Sequence, residues 1–124
     1  MNFTILQTSR NEEKIEHDSV ILKVKAADVI DRDETNNLWK ILKTLIDGGL
    51  NKIIIDMNNL DFIDSQGIGM LINSAKLLRT KKGDIGLIRV PENILNIFRP
   101  VNLQRFIQIF ESEEEAIKFL KLNV

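Results

Sequence analysis

The residues best placed to do chemistry are Asp64 and Ser65, in the segment FIDSQGIG from Phe62 to Gly69. An acid and a hydroxyl side by side, followed by glycines at 67 and 69, open a stretch of helical periodicity. A helix N-terminus carries unpaired amide donors and the positive end of the helix dipole, so an anion attached to Ser65 would sit in favourable surroundings. The same two residue types are also ordinary N-caps. Spacing alone leaves both readings open. The glycines are short of a GxGxxG or GxxxxGK[ST] phosphate cradle, and the expectation for them is an uncluttered first turn that another backbone can approach closely.

Other chemistry is poorly supplied. The sequence has no cysteine, which excludes disulfides, iron–sulfur clusters and thiolate zinc sites. His17 is the single histidine and stands among charged residues, so a histidine-based triad or metal site is not expected. Asp56, Asp61 and Asp64 raise the idea of a metal cluster, and Asp56 at a strand end that of a phospho-accepting receiver domain. A receiver needs an acidic pair after its first strand, where this chain has Gln7 and Thr8, and a lysine near the end of its last, where it has FESEEE. No nucleophile–base pair stands out. The expectation is a protein with no catalytic residues, metal or cofactor.

The elements that must position Asp64 and Ser65 follow from periodicity. Residues 3–8 and 19–25 read as strands, the second by the alternation of Val20, Leu22 and Val24, with 9–18 as loop or hairpin. Asp31 and Glu34 have capping-box spacing, and Leu38, Ile41, Leu42 and Leu45 form a helical stripe that Gly48 and Gly49 stop. The β-branched run at 52–56 fits a strand buried on both faces. Residues 65–80 form a second helix with a seam of Ile68, Leu71, Ala75 and Leu78, and Gly83 is a plausible stop. A strand is expected at 85–90, then a short helix begun by Pro91 and ended by Pro100. A strand at 105–110 and a last helix capped by Ser112 and Glu115 follow. Trp39, Phe98 and Phe106 are assigned to the core. The order ββαβαβαβα implies one α/β domain over residues 1–124, with a mostly parallel mixed sheet and an antiparallel edge strand. In such sheets functional groups gather where strands end and helices begin.

The chain has 124 residues with 17 basic and 18 acidic side chains, a balance that argues against nucleic-acid binding. No apolar run reaches the roughly 18 residues of a membrane span. Without a secretory signal pattern at the start, a soluble, cytoplasmic protein is expected.

FIDSQGIGMLINSAKLL resembles the signature of the STAS domain family, and of its bacterial anti-sigma-factor antagonists in particular. NKIIIDMNNLDFID resembles the strand and loop before that signature, VIDRDETNNLWKIL the approach to the first helix, and NIFRPVNLQRFIQIFESEEEAI the C-terminal helix–strand–helix. The resemblance implies that Ser65 is phosphorylated by the partner, an anti-sigma factor with serine-kinase activity, and dephosphorylated by a protein phosphatase. It implies a partner contact at Asp31, although AADVID at 26–31 departs from the family's glycine-containing loop. Gln66 replaces the usual Ser or Thr, so Ser65 is the only hydroxyl in the motif. The expected docking surface is Asp31, Asp64, Ser65, Gln66, Gly67 and Gly69, with Met70, Asn73 and Lys76 as exposed helix positions off the apolar seam. The alternative is a STAS module in a stress-sensing scaffold or in a transporter-associated or ligand-binding regulatory complex.

Overall fold

The computed structural model describes residues 2–7, 20–26, 29–30 and 32–122. Strand β1 (Asn2–Gln7) pairs antiparallel with β2 (Val20–Lys25). A two-residue strand β3 (Val29–Ile30) leads to helix α1 (Arg32–Asp47) and then to β4 (Lys52–Asp56). A second two-residue strand, β5 (Phe62–Ile63), runs directly into α2 (Ser65–Thr80). There follow β6 (Asp84–Ile88), α3 (Glu92–Phe98), two 3-10 turns at Arg99–Val101 and Leu103–Arg105, β7 (Gln108–Phe110) and α4 (Glu113–Leu122).

The main sheet has the order β1-β2-β4-β6-β7, parallel throughout except for the β1–β2 edge pair. The alternation of strand side chains divides the core in two. Leu22, Val24, Ile53, Ile55, Ile85 and Leu87 share one cluster with α1, α2 and α3. Ile21, Ile54 and Ile88 point the other way and pack on Ala116 and Leu120 of α4. β4 sits between β2 and β6, and both of its faces are covered, Ile53 and Ile55 by α1, α2 and α3 and Ile54 by α4. That explains its unbroken isoleucine run.

A separate two-stranded ribbon, β3–β5, lies beside the main sheet, pairing Val29 with Phe62 and Ile30 with Ile63 in parallel. It was not foreseen from the sequence. It ends on the N-terminus of α2, because the Asp64 amide donates to the Ile30 carbonyl at 3.1 Å.

Several expectations shift. The last strand is three residues, not six: Leu103–Arg105 form a 3-10 turn and Ile107 is buried before the strand begins. Phe106 is 36% exposed, not core, while Phe98 is buried and Trp39 is partly buried against the core. Ile41 in the expected α1 stripe is exposed, and Ile46 takes its place beside Leu38 and Leu42. Pro91 is the N-cap of α3 with extended backbone, and Pro100 lies within the 3-10 turn after it. The α1 stop is at Gly49, whose φ of 113° needs glycine. The Ser112 hydroxyl accepts from the Glu115 amide at 3.2 Å, the cap expected for α4. Asp31, and with it the α1 capping box, lies outside the described residues, as do His17 and the loop at 9–18.

Candidate functional site

β4 carries the chain to the carboxyl end of the sheet, and the turn after it returns through β5 to the start of α2. The turn is fastened at Asp56, a buried side chain at 3% exposure. Its Oδ1 accepts from the Asn58 amide at 3.0 Å, and its Oδ2 lies 3.6 Å from Arg89 Nε. A buried carboxylate without such partners would be costly to the fold. Asp56 is thus engaged in holding the turn. Asn93, on the first turn of α3, donates to the Asp61 carbonyl at 2.9 Å and ties α3 to the same segment.

At the helix start the two adjacent polar residues divide the work. Asp64 has extended backbone (φ −93°, ψ 179°) and caps α2, its Oδ1 accepting from the Gly67 amide at 2.8 Å. Its carbonyl accepts from the Ile68 amide at 3.1 Å. Ser65 is the first helical residue; it is exposed, and no hydrogen bond to its hydroxyl is found among the described residues. The amides of Ser65 and Gln66 are the remaining donors of the first turn, without partners inside the helix. Among the described residues, the site therefore presents an unpaired hydroxyl and two unpaired N–H groups at the positive end of a 16-residue helix.

The two glycines differ. Gly67 is buried, and a Cβ there would meet Ile63 Cγ1 at 2.7 Å and Ile30 Cγ2 at 2.9 Å. It lets α2 seat on the β3–β5 ribbon, so the close approach it permits is internal, which corrects the expectation of an open surface at that residue. A Cβ on Gly69 would meet nothing within 4 Å, so Gly69 does leave open space. Gln66, Asn73 and Lys76 are exposed, as expected of contact positions. Met70 is not: at 5% exposure it belongs to the buried face, because α2 packs against α1 as well as the sheet.

Between α1 and α2 lies a shallow groove of about 370 Å³, lined by Thr35, Asn36, Trp39, Gln66, Gly69, Met70 and Asn73. No charged side chain lines it. The Thr35 hydroxyl is buried and finds no hydrogen-bond partner among the described residues. Sequence reasoning missed Thr35, Asn36 and Trp39, since nothing in their spacing shows which face of α1 meets α2. No group of three or more His, Cys, Asp or Glu residues that could hold a metal is found among the described residues, and none of their helices is long and apolar enough to cross a membrane.

Comparison with known proteins gives a consistent picture. The STAS domain family model matches residues 5–116. A Thermotoga maritima protein, provisionally named an anti-sigma factor antagonist, is 26% identical over 105 residues, 85% of this chain and 92% of its own. The anti-sigma-B factor antagonist of Staphylococcus epidermidis is 24% identical over 104 residues, 84% of this chain and 95% of its own. The unphosphorylated form of the anti-sigma factor antagonist SpoIIAA superimposes with a TM-score of 0.69 at 21% identity, covering 99% of both chains. SpoIIAA is also known in a phosphorylated form, with a TM-score of 0.61.

Proposed function

Since the chain belongs to the STAS domain family, we propose that it is an anti-sigma factor antagonist whose docking is switched at Ser65. The unmodified chain binds an anti-sigma factor with serine-kinase activity and so frees the sigma factor. The partner transfers the γ-phosphoryl group of ATP to Ser65 Oγ, releasing ADP and the hydroxyl proton; the complex weakens, and a phosphatase resets the switch by hydrolysing the ester to serine and inorganic phosphate. The reading puts the chain in the cytoplasm, where sigma factors act, as a binding protein with no catalytic role of its own.

One observation carries this reading: Asp64 does the capping, which leaves Ser65 exposed with a hydroxyl that no described residue engages. A phosphate there adds about −1.5 to −2 of charge. The free amides of Ser65 and Gln66 and the helix dipole receive it, while the Asp64 carboxylate beside it repels it. The two effects oppose each other, so the fold survives the modification while the surface there becomes locally more negative. The docking face would join Ser65 and Gln66 to the uncharged groove at Gly69 and Asn73, with Lys76 at its edge. Asp31 follows the Ile30 carbonyl that accepts from Asp64, and the family resemblance assigns it a partner contact. Gly67 and Met70 shape this face from beneath.

The test is to incubate the chain with its cognate kinase and ATP, and to map the phosphate by mass spectrometry. A single phosphate at Ser65 is expected. By calorimetry, Ser65→Ala should bind as wild type, and Ser65→Glu at least tenfold more weakly, roughly 1.4 kcal/mol. Phosphate at another residue, or wild-type binding by Ser65→Glu, would overturn the proposal.

A further inference from the structure

A second concavity lies between α3, the two 3-10 turns and β7. It encloses about 440 Å³ and shares no lining residue with the α1–α2 groove. Its apolar lining is Leu95, Phe98, Leu103 and Ile109, with Phe98 and Leu103 buried at 2% and 1% exposure. Its polar lining is Arg99, Asn102, Gln104 and Arg105, with no acidic residue among them.

The two arginines are not equivalent. Arg99 is held by Glu92 Oε2 at 2.8 Å and by Asn96, so its charge is largely balanced. Arg105 makes no ion pair or side-chain hydrogen bond among the described residues. It is therefore an uncompensated guanidinium beside an apolar hollow. Asn102 sits between the two 3-10 turns in the left-handed region (φ 54°, ψ 45°), a conformation asparagine tolerates better than most residues. That turn brings the side chains of residues 102–105 around one opening. Concave sites of about 300–1,000 Å³ with apolar walls and a few convergent polar groups are the usual form of a small-molecule site.

We propose that this hollow binds a small amphiphilic anion: one carboxylate or phosphate head at Arg105, assisted by Asn102 and Gln104, and an apolar body against Leu95, Leu103 and Ile109. The inference stands apart from the role of Ser65 and uses none of its residues.

The test is a titration of the ¹⁵N-labelled chain with octanoate below its micellar concentration, followed by amide shifts. Saturable shifts at Leu95, Asn102–Arg105 and Ile109 are expected. Octanol, which has the body without the charge, and inorganic phosphate, which has the charge without the body, should each bind about three- to tenfold more weakly than octanoate. Arg105→Gln, an exposed substitution that leaves the core untouched, should weaken octanoate by a similar factor while keeping the wild-type spectrum. Equal affinity for octanol, shifts confined to other surfaces, or an unchanged Arg105→Gln would overturn the proposal. Pelleting with phosphatidylglycerol vesicles that Arg105→Gln abolishes, without any octanoate shifts, would also overturn it and make the face a lipid-surface contact.

Discussion

Asp64 and Ser65 differ by one position and in everything they do. The carboxylate closes the first turn of α2 through the Gly67 amide, so Asp64→Ala should cost about 1 kcal/mol of stability in urea unfolding. Asp64→Asn, which keeps the acceptor, should recover most of it. Ser65→Ala should leave the urea midpoint within experimental error, because no contact of its hydroxyl is lost. The sequence alone could not make this division, since Asp and Ser cap helices about equally well and either could have taken the place. Met70 illegibly joined the buried face for a related reason. A single stripe of Ile68, Leu71, Ala75 and Leu78 predicts one contact surface, whereas α2 has two, on α1 and on the sheet. Ser74 is buried for the same reason, and its hydroxyl is satisfied by the Met70 carbonyl at 2.8 Å.

At the scale of the element, α2 holds two glycines whose replacement by alanine should have opposite effects. Alanine is worth up to about 1 kcal/mol over glycine in a helix interior. Gly69→Ala should therefore raise the unfolding midpoint, since a Cβ meets nothing there. Gly67→Ala should lower it, at a cost of about 1–3 kcal/mol of stability, because the contacts with Ile63 and Ile30 outweigh the gain in propensity. If Gly69 lies against the partner, Gly69→Ala is more stable yet binds less tightly, which separates docking from folding in one variant. The bounds of α2 and β4 could be read from sequence because long periodic runs fix them. The β3–β5 ribbon could not, as two residues carry no period. β7 came out shorter than its apolar pattern, because Phe106 and Ile107 belong to a turn whose carbonyl at Phe106 is taken up by Arg79.

Across the whole molecule, the α1–β4 and α2–β6 connections meet at Gly83. A Cβ on Gly83 would fall 1.7 Å from the Asn51 carbonyl oxygen, which accepts from the Asp84 amide at 3.0 Å. The Asn51 side chain in turn donates to the Lys81 carbonyl at 3.0 Å. Gly83→Ala should destabilise the domain by about 3 kcal/mol or more, read as a fall in thermal midpoint, although no part of Ser65 is touched. The net charge of −1 makes the modified form easy to see. A phosphate roughly triples the net negative charge, so the phosphorylated chain should elute later on anion exchange.

The interleaved strand order also governs how the chain is made. β4 is complete early, but β6, its neighbour on the open side, is encoded after α2. A ribosome adds about 5–20 residues per second, so the stretch from Ser65 to Ile88 occupies it for roughly one to five seconds. During that interval Ser65 is already synthesised, but the sheet that holds α2 in place is unfinished. On the switch proposed at Ser65, a kinase that recognises the assembled face would pass over the nascent chain, and a new molecule would start unmodified.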